Sequence, residues 1–243
     1  MFNDQNKTTL LISVIAQMLS GLKHVAVGAS SPIPGAAALL SSALNNGQPK
    51  VTVLGSKKLN HFTDGGRELF DCAGQGRIDA FFLGGGQIDG DANINLIGIG
   101  NYPKLDFRFP GSYGSAYLYF VIPKVILFRE EHTSRVLVPK VDFISAPGVS
   151  KPNIYRPGGP YALVTGRCVF IWDKNHKHFV LNSIHPGETL ESVRENTGFN
   201  YISPKKIITT PSANKNEFDL IYGDVGLQIA EIYPDFARNR LGV

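Results

Sequence analysis

The chain has 243 residues, of which 43% are hydrophobic and 18% are charged, and its formal net charge at pH 7 is +4. These values exclude an intrinsically disordered chain, and the length suffices for a large domain with its own hydrophobic core. The lysines and arginines are scattered rather than gathered in a basic stripe, so we expect no nucleic-acid partner. The two cysteines, Cys72 and Cys168, are far apart in sequence and are expected to be buried free thiols.

An apolar segment near the beginning, from Thr8 to Leu22, is too short to span a membrane. Asp4 precedes it, which is unlike the basic start of a signal peptide. The apolar residues recur with helical spacing and predict an amphipathic helix with Thr8 or Thr9 near its N-cap. We therefore expect a cytoplasmic protein without a membrane partner.

The following stretches alternate between strand and helix. The segment "KHVAVGASSPIPGAAALLSSAL" predicts a strand over 24–27, a loop of small residues and a helix over 36–44. A second strand is predicted over 51–54, so the two strands should pair in parallel. The same logic predicts a helix in "GGRELFDCAGQG" and a buried strand in "IDAFFLGGGQID".

Three further apolar runs, "NINLIGIG", "KVILFREE" and "KVDFISAPG", predict more strands before residue 148. Beyond a connector rich in proline and glycine, alternation at Val169, Ile171, Phe179 and Leu181 predicts a β-hairpin, and Thr189 begins a predicted helix. The predicted fold is α/β, with an open, mostly parallel sheet flanked by helices. We expect a single domain over 1–243, with an α/β core over 1–148 and an extension over 149–243 that contains the hairpin and the helix.

Residues 83–115 form the stretch that is richest in glycine. The spacing of its glycines does not match a phosphate-binding loop. Tight turns explain such glycines, yet "PGSYGS", residues 110–115, could also present successive N–H groups to an anion. The residues alone favour a binding loop and a structural loop equally.

Three histidines are candidates for a chemical role. His176 and His178 flank the predicted hairpin turn without a third ligand at suitable spacing, so we expect a solvated turn and no metal site. His132 lies in "REEHTSR", which is typical of an exposed charged loop; the sharper interpretation places it at the rim of an active site. No G-x-S-x-G motif is present to mark a nucleophilic serine.

Five stretches together resemble the β-type (B) subunit of family I CoA-transferases, the glutaconate CoA-transferase kind in particular. They are "VAVGASSPIPGA", "GRIDAFFLGGGQIDGDANINLIGIGNYPK", "RFPGSYGS", "EHTSRVLVPKVDFISAPG" and "HPGETLESVRENTGF". The resemblance covers most of residues 20–200. It implies an α-type partner subunit in a heterodimer or higher heteromer, and acyl-CoA substrates that are often esters of dicarboxylic acids. Coenzyme A then enters as part of the substrate, and we expect no permanently bound cofactor.

The resemblance also implies positions for the site. A loop that supplies backbone donors to the oxyanion corresponds to Gly111, Ser112, Tyr113, Gly114 and Ser115, where Tyr113 departs from the usual small residue. We further expect contacts with the substrate at six other positions. They are Gly28, Ser30, Gly85, Gly86, Gln87 and Asn95.

Members of the family attack the thioester with a glutamate, which would fall here at Leu54, with Gly55 and Ser56 as near alternatives. Leucine and glycine cannot form the acyl anhydride, and serine would need an activating base. The nucleophile is therefore missing from its predicted place.

Three hypotheses follow from this absence. The first is a CoA-ester enzyme that decarboxylates its substrate or cleaves it hydrolytically at a C–C bond, with an enolate stabilised by loop N–H groups and His132 as a weak candidate base. The second is a genuine CoA-transferase with a relocated glutamate, for which Glu68 is the nearest acid. The third is a subunit retained for assembly without catalysis.

Overall fold

The computed structural model describes residues 4–243 and divides them into two compact units. The first unit comprises the described residues up to Phe82 together with Pro211–Val243. The second unit comprises Leu83–Thr210.

Helices and strands alternate along most of the chain. The helices are α1 Asp4–Met18, α2 Pro32–Leu44, α3 Gly65–Gly74, α4 Ser115–Val121, α5 Leu190–Glu195, α6 Lys215–Leu220, α7 Gly226–Ala230 and α8 Pro234–Phe236, with wider π-helical turns over Ile221–Val225 and Ala237–Leu241. The strands are β1 His24–Val27, β2 Lys50–Val53, β3 Ala80–Leu83, β4 Gln87–Ile88, β5 Ile94–Asn95, β6 Gly98–Asn101, β7 Lys104–Arg108, β8 Lys124–Arg129, β9 Pro160–Thr165, β10 Cys168–Asp173, β11 His178–Ile184 and β12 Ile208–Thr209.

Strands β3, β1 and β2 lie side by side in that order in the first unit, and both pairings are parallel. Helix α2 connects β1 to β2 and packs on both strands. Pro32 occupies its first turn, where the missing N–H costs no hydrogen bond, and the alanine-rich sequence that follows favours the helix. The predicted βαβ unit is confirmed.

Helix α1 differs from the prediction in two ways. It begins at Asp4, so Thr8 and Thr9 lie inside the helix rather than at its N-cap. It is also not amphipathic, because every residue over 8–16 is buried. The reason is tertiary, since α1 packs against α2 and also against the C-terminal turn Ala237–Leu241.

Two expectations from composition can be compared with the structure. Cys72 and Cys168 are both free and buried, as predicted. Over residues 4–243, no helix combines the length and apolar character that a membrane crossing requires.

The second unit contains strands β12, β11, β10, β9 and β8 in that spatial order. Strand β10 is antiparallel to both of its neighbours, β9 and β11, whereas β8–β9 and β11–β12 are parallel pairs. Taken with the first unit, most of these pairings are parallel, which confirms the predicted α/β class. The predicted hairpin is β10–β11, and Thr189 caps α5 by accepting a hydrogen bond from the Ser192 amide.

The alternation predicted for this hairpin holds only in part. The buried face of β10 carries Phe170 and Trp172, whereas Ile171 is partly exposed. A β-bulge shifts the register between Val169 and Phe170, whose partners are Ser183 and Leu181, so that Asn182 of β11 is the added residue. The sequence period alone shows neither the bulge nor which face of an apolar strand is buried.

The structure divides the chain at places other than Gly148. Strand β8 lies before that residue and β9 after it, yet the two strands pair in parallel within the second unit. Residues 149–210 therefore belong with residues 83–148, while the segment from Pro211 joins the first unit.

The segment 140–148, predicted as a strand, is irregular apart from an isolated bridge between Ile94 and Ala146. It packs instead beside the glycine-rich segment, whose short strands form the pairs β4–β5 and β6–β7. Backbone of this kind needs side-chain partners for its amides, because no long ladder supplies them.

Two buried polar side chains supply those partners. Asn95, which is fully buried, donates to the Gln87 side chain and the Gly98 carbonyl, both at 2.7 Å, and accepts from the Ile97 and Gly98 amides. Asp89, 3% exposed, accepts from the amides of Asn93 and Val141 at 3.0 and 3.3 Å.

We predict that Asn95→Ala lowers the free energy of unfolding by about 2–4 kcal/mol, because it leaves buried donors and acceptors without partners. Urea unfolding followed by circular dichroism measures the change. Asn153→Ala, at an exposed position, is the matched control and should cost less than about 0.5 kcal/mol. Equal stability of the two variants would contradict the structural role of Asn95.

Candidate functional site

The end of strand β2 presents no carboxylate of its own. Leu54 is partly exposed, and Gly55, with a φ of 90°, is exposed, with no atom within 4 Å of the place that a Cβ would occupy. Ser56 is 6% exposed. The three positions predicted to replace the family nucleophile thus form a turn, in which Leu54 is partly exposed, Gly55 is exposed and Ser56 is buried.

The Ser56 hydroxyl is fully engaged in hydrogen bonds. Its Oγ donates to Glu231 Oε2 at 2.7 Å and accepts from the Lys58 and Leu59 amides at 3.1 and 2.8 Å. A hydroxyl has one donor and two acceptor lone pairs, so all of its capacity is used. Ser56 therefore stabilises the turn and is poorly disposed to attack a thioester.

Glu231 brings a carboxylate to this turn from the C-terminal segment, just beyond α7. Its Oε1 accepts from the Lys57 amide at 2.9 Å, in addition to the Ser56 bond at Oε2. The Ser56 hydrogen bond and then the Lys57 amide lower the pKa of Glu231, so the group is ionised at neutral pH. Sequence reasoning missed Glu231, because 175 residues separate it from Ser56 and no local motif marks it.

Glu68, the nearest acid along the chain, has a different task. Its carboxylate accepts from the Thr63 amide and hydroxyl at 2.5 and 2.9 Å and from the Asp64 amide at 3.2 Å. These bonds, the Thr63 amide first, lower the pKa of Glu68. The residue caps the beginning of α3, which agrees with its interpretation as a solvated helical residue.

The loop over 111–114 has an unusual backbone. Gly111, Tyr113 and Gly114 have φ values of 109°, 30° and 71°, and Gly114 is the N-cap of α4. Tyr113, for which the resemblance implies a small residue in the family, is 73% exposed. A positive φ at a tyrosine is uncommon and marks a backbone held by its surroundings.

Two of the loop amides are already used within the chain. Gly111 donates to the Leu96 carbonyl at 3.1 Å, and Ser115 donates to the Ser112 carbonyl at 2.8 Å. No hydrogen bond described over residues 4–243 is donated by the backbone amides of Ser112 or Gly114. Of the predicted oxyanion donors, the amide of Gly111 is the least suited, because it already donates to Leu96, and the amides of Ser112 and Gly114 remain candidates. The role of these amides stays a prediction.

Ser115 adds an unusual polar atom at the end of this loop. The residue is 4% exposed, and its Oγ has no hydrogen-bond partner among the described residues. A buried hydroxyl without a partner is costly and calls for an explanation such as a water or a ligand.

Residues 85–95 are constrained by the packing of the chain itself. A Cβ on Gly86 would overlap the Phe109 ring, and one on Gly85 would lie 2.6 Å from Ile94. The oxygen of the Gln87 side chain is bonded to Asn95 and to the Asp142 amide. These contacts give the two glycines and the two amide side chains a structural reason, while their predicted contact with substrate stays a prediction.

Gly28 and Ser30 follow β1 in the first unit. Gly28 is partly exposed, and Ser30 is exposed with a φ of 56°. The prediction that these residues contact substrate is not tested and stays a prediction.

His132 is buried rather than part of an exposed loop, so that interpretation is wrong. It is 4% exposed, and its two ring nitrogens are bonded to the hydroxyls of Thr165 and Thr197 at 2.7 and 2.9 Å. Burial, followed by the charge of Arg167, lowers the pKa of His132 to about 4. Its predicted role as a base stays untested, but both nitrogens are committed to structural bonds.

The hairpin histidines do have a third neighbour. Ligand atoms of Asp173, His176 and His178 lie within 4.8 Å of one another, so the expectation that no third ligand is available is wrong. Asp173 Oδ2 lies 2.8 Å from His176 Nδ1, and Asp173 Oδ1 accepts from the Asn175 and His176 amides. These bonds by themselves explain the cluster as a hairpin turn.

Comparison with known proteins identifies the family of the chain. Residues 36–196 match the sequence model of the family described as "Coenzyme A transferase". The B subunit of 3-oxoadipate CoA-transferase from Pseudomonas knackmussii is 33% identical over 153 residues, 60% of this chain and 58% of the relative. The B subunit of glutaconate CoA-transferase from Acidaminococcus fermentans is 32% identical over 125 residues, 49% of this chain and 46% of the relative. The chain thus spans about half the length of the curated relatives it matches.

Solved structures share the fold at lower identity. Glutaconate coenzyme A-transferase from Acidaminococcus fermentans has a TM-score of 0.80 at 21% identity, covering 98% of this chain and 97% of that one. The decarboxylase AibA/AibB has a TM-score of 0.74 at 22% identity, covering 98% and 99%. IpdAB from Rhodococcus jostii RHA1 has a TM-score of 0.75 at 20% identity, covering 91% and 93%.

We predict that His132 makes the stability of the chain sensitive to acid. The unfolded histidine takes up a proton near pH 6.5, whereas the folded one resists protonation down to a pKa of about 4. Its contribution is therefore present above pH 6.5 and is lost as the pH falls through this window, at no more than about 1.4 kcal/mol per pH unit.

Urea unfolding between pH 4 and pH 7 measures this effect. The free energy of unfolding of His132→Gln should fall less steeply with acidification than that of the parent chain. Asn153→Ala, at an exposed position without a titratable group, serves as the control and should follow the parent curve. Parallel curves for the parent chain and His132→Gln would contradict the prediction.

Proposed function

Because the chain belongs to the coenzyme A transferase family, we propose that it is the B-type subunit of a heteromeric enzyme that acts on an acyl-CoA thioester by chemistry other than CoA transfer. The acyl group we propose is dicarboxylic, of the glutaconyl type. The reaction is decarboxylation or hydrolytic C–C cleavage.

The observation that carries this proposal is the composition of the β2 end. Leu54 cannot attack a carbonyl, and the Ser56 hydroxyl has no lone pair left, since it accepts from the Lys58 and Leu59 amides. Covalent transfer through a β2 carboxylate therefore lacks its nucleophile.

Chemistry that proceeds through an enolate needs no covalent carboxylate. Loss of CO₂ or cleavage of a C–C bond next to the thioester leaves an electron pair that is delocalised onto the thioester oxygen. Hydrogen-bond donors aimed at that oxygen lower the barrier. The amides of Ser112 and Gly114 and the buried hydroxyl of Ser115 are the groups that we assign to this role. The decarboxylase AibA/AibB and glutaconate CoA-transferase both share this fold, so the fold is compatible with the proposed reaction class.

An A-type subunit is the partner that we propose. Both curated relatives are named as B subunits. The second unit exposes several large apolar side chains, which a partner would remove from water. They are Tyr102, Phe107, Tyr113, Tyr117 and Ile144. Coenzyme A would enter as part of the substrate, and the proposed reaction requires no permanently bound cofactor.

A second candidate function is CoA transfer with a relocated glutamate, and the position of Glu231 favours it. In that mechanism the ionised Glu231 attacks the thioester carbonyl and the CoA thiolate leaves, which gives an acyl anhydride. The thiolate then attacks the glutamyl carbonyl and releases the free acid, so that CoA is held as a glutamyl thioester. An acceptor carboxylate reverses the two steps. The Ser56 and Lys57 donors would have to release one Glu231 oxygen for the attack.

Turnover by the chain co-purified with its A-type partner separates the two functions. A glutaconyl-type CoA ester is supplied with and without acetate, and the products are followed by mass spectrometry. A decarboxylated or cleaved product without acetate supports the proposed function. CoA exchange that depends on acetate supports the second candidate, and no turnover across a panel of acyl-CoA esters contradicts both.

We predict that Glu231→Gln retains more than about a third of the acetate-independent activity, because the proposed reaction uses no carboxylate at β2. If the second candidate is correct, the variant instead loses CoA exchange by about 10³-fold or more, since an amide cannot form the anhydride. Steady-state kinetics of the heteromer with each substrate set make the measurement.

Two further variants control for indirect effects. Ser56→Ala removes the hydrogen bond to Glu231 and keeps the Glu231 carboxylate, so any change in activity of this variant measures the effect of disturbing the turn alone. Glu68→Gln removes the α3 cap and should leave both activities within about threefold, because Glu68 serves only its own helix. A selective loss in Glu68→Gln would show that the relocated glutamate was wrongly assigned to Glu231.

A further inference from the structure

A cleft in the second unit, apart from the loop over 111–115, gathers positive charge. It lies between the connector over 148–160 and the turn of the β10–β11 hairpin and has a volume of about 280 Å³. Its charged lining residues are Lys151, Arg156, Lys174 and Lys177, and no aspartate or glutamate lines it. A concave surface with charges of one sign concentrates ligands of the opposite sign.

The positive charges of the cleft are not balanced by neighbouring acids. Over residues 4–243, none of the four cations forms an ion pair. Asp173, the acid next to Lys174 in sequence, directs its carboxylate to the His176 ring and to turn amides.

Arg156 is the most constrained of these cations. Its guanidinium donates to the carbonyls of Gly158, Pro147 and Tyr119 at 3.0, 2.8 and 2.9 Å, which fixes its position. Burial lowers the pKa of Arg156, but the group stays charged, so the cleft contains a partly desolvated cation without an anion. The three carbonyls and the rings of Tyr119 and Phe120, whose centroids lie 5.1 and 5.7 Å from Arg156 Cζ, offset part of the cost of burying this charge.

The remaining walls are largely apolar. Trp172 is 7% exposed and lines the cleft together with Pro152, Pro157 and Ile154. Cations over an apolar wall suit a ligand that has both anionic groups and an organic body.

We propose that this cleft binds the phosphate groups of an organic phosphate. Lys174 and Lys177 approach from the hairpin turn, Lys151 and Arg156 from the connector. The phosphate groups can belong to one of two ligands. One is the CoA part of the substrate, and this assignment rests on the proposed function. The other is a separate phosphorylated metabolite, which offers the same phosphate chemistry.

The single tryptophan makes the test direct, since Trp172 is the only one in the sequence and lies in the cleft. The full chain is titrated with CoA, with 3′-dephospho-CoA, with ATP and with adenosine as the uncharged control, and tryptophan fluorescence is recorded at constant ionic strength. We expect saturable changes with phosphate-bearing probes, none with adenosine, and weaker binding as salt is raised.

Charge-matched variants locate the binding. Lys174→Gln combined with Lys177→Gln should weaken the binding of phosphate-bearing probes by about tenfold or more, because two nearby charges are lost. Lys205→Gln combined with Lys206→Gln makes the same charge change at exposed positions elsewhere in the unit and should have no effect. Lys151→Gln tests the opposite wall of the cleft, and circular dichroism establishes that each variant is folded.

The outcomes divide clearly. Tight binding of CoA with loss of affinity for the dephospho form assigns the cleft to the CoA part of the substrate, while stronger binding of ATP assigns it to a separate metabolite. Absence of binding by the parent chain in both fluorescence and calorimetry, or equal weakening in the two double variants, overturns the proposal. Because no turnover is measured, failure here is distinguishable from failure of the proposed reaction.

Discussion

The irregular backbone of the second unit, over 84–101 and 140–148, depends on the hydrogen bonds accepted by the buried carboxylate of Asp89. This carboxylate accepts hydrogen bonds from amides on both sides of a gap of about fifty residues, those of Asn93 and Val141. Asn93 in turn accepts from the Gly148 amide at 3.1 Å, and Asn95 organises the turn after it. Because this backbone has no long ladder, side chains satisfy the buried amides. The loop over 111–115 is attached to the same segment by the hydrogen bond that the Gly111 amide donates to the Leu96 carbonyl.

A second constraint concerns the first unit, where a distant acid meets the end of β2. The Ser56–Glu231 hydrogen bond joins the turn after β2 to the C-terminal helical segment. The same bond fills the remaining capacity of the serine hydroxyl and holds the carboxylate ionised. This contact therefore occupies the Ser56 hydroxyl and places the Glu231 carboxylate beside the turn that follows β2.

The corrections to the sequence interpretation have particular causes. His132 lies among charged neighbours in sequence, yet it is buried between the hydroxyls of Thr165 and Thr197, which are far away along the chain. Helix α1 is predicted to be amphipathic, but α2 and the C-terminal turn pack against it and every residue over 8–16 is buried. Strand β10 is apolar on both faces, so hydrophobic periodicity does not show that Phe170 and Trp172 are buried while Ile171 is partly exposed. In each case the deciding partner is remote in sequence.

The sequence by itself determined the α/β class, the βαβ unit, the β10–β11 hairpin, the Thr189 cap and the family, because local propensity, turn residues and ordered motifs encode them. The resemblance also predicted Leu54, with Gly55 and Ser56 as near alternatives, as the position of the missing family glutamate. Only the tertiary structure decided that Glu231 lies at the end of β2, that Glu68 is a helix cap and that four cations share one cleft. Such juxtapositions depend on packing between segments far apart in the chain, and one sequence contains no periodicity that reports them.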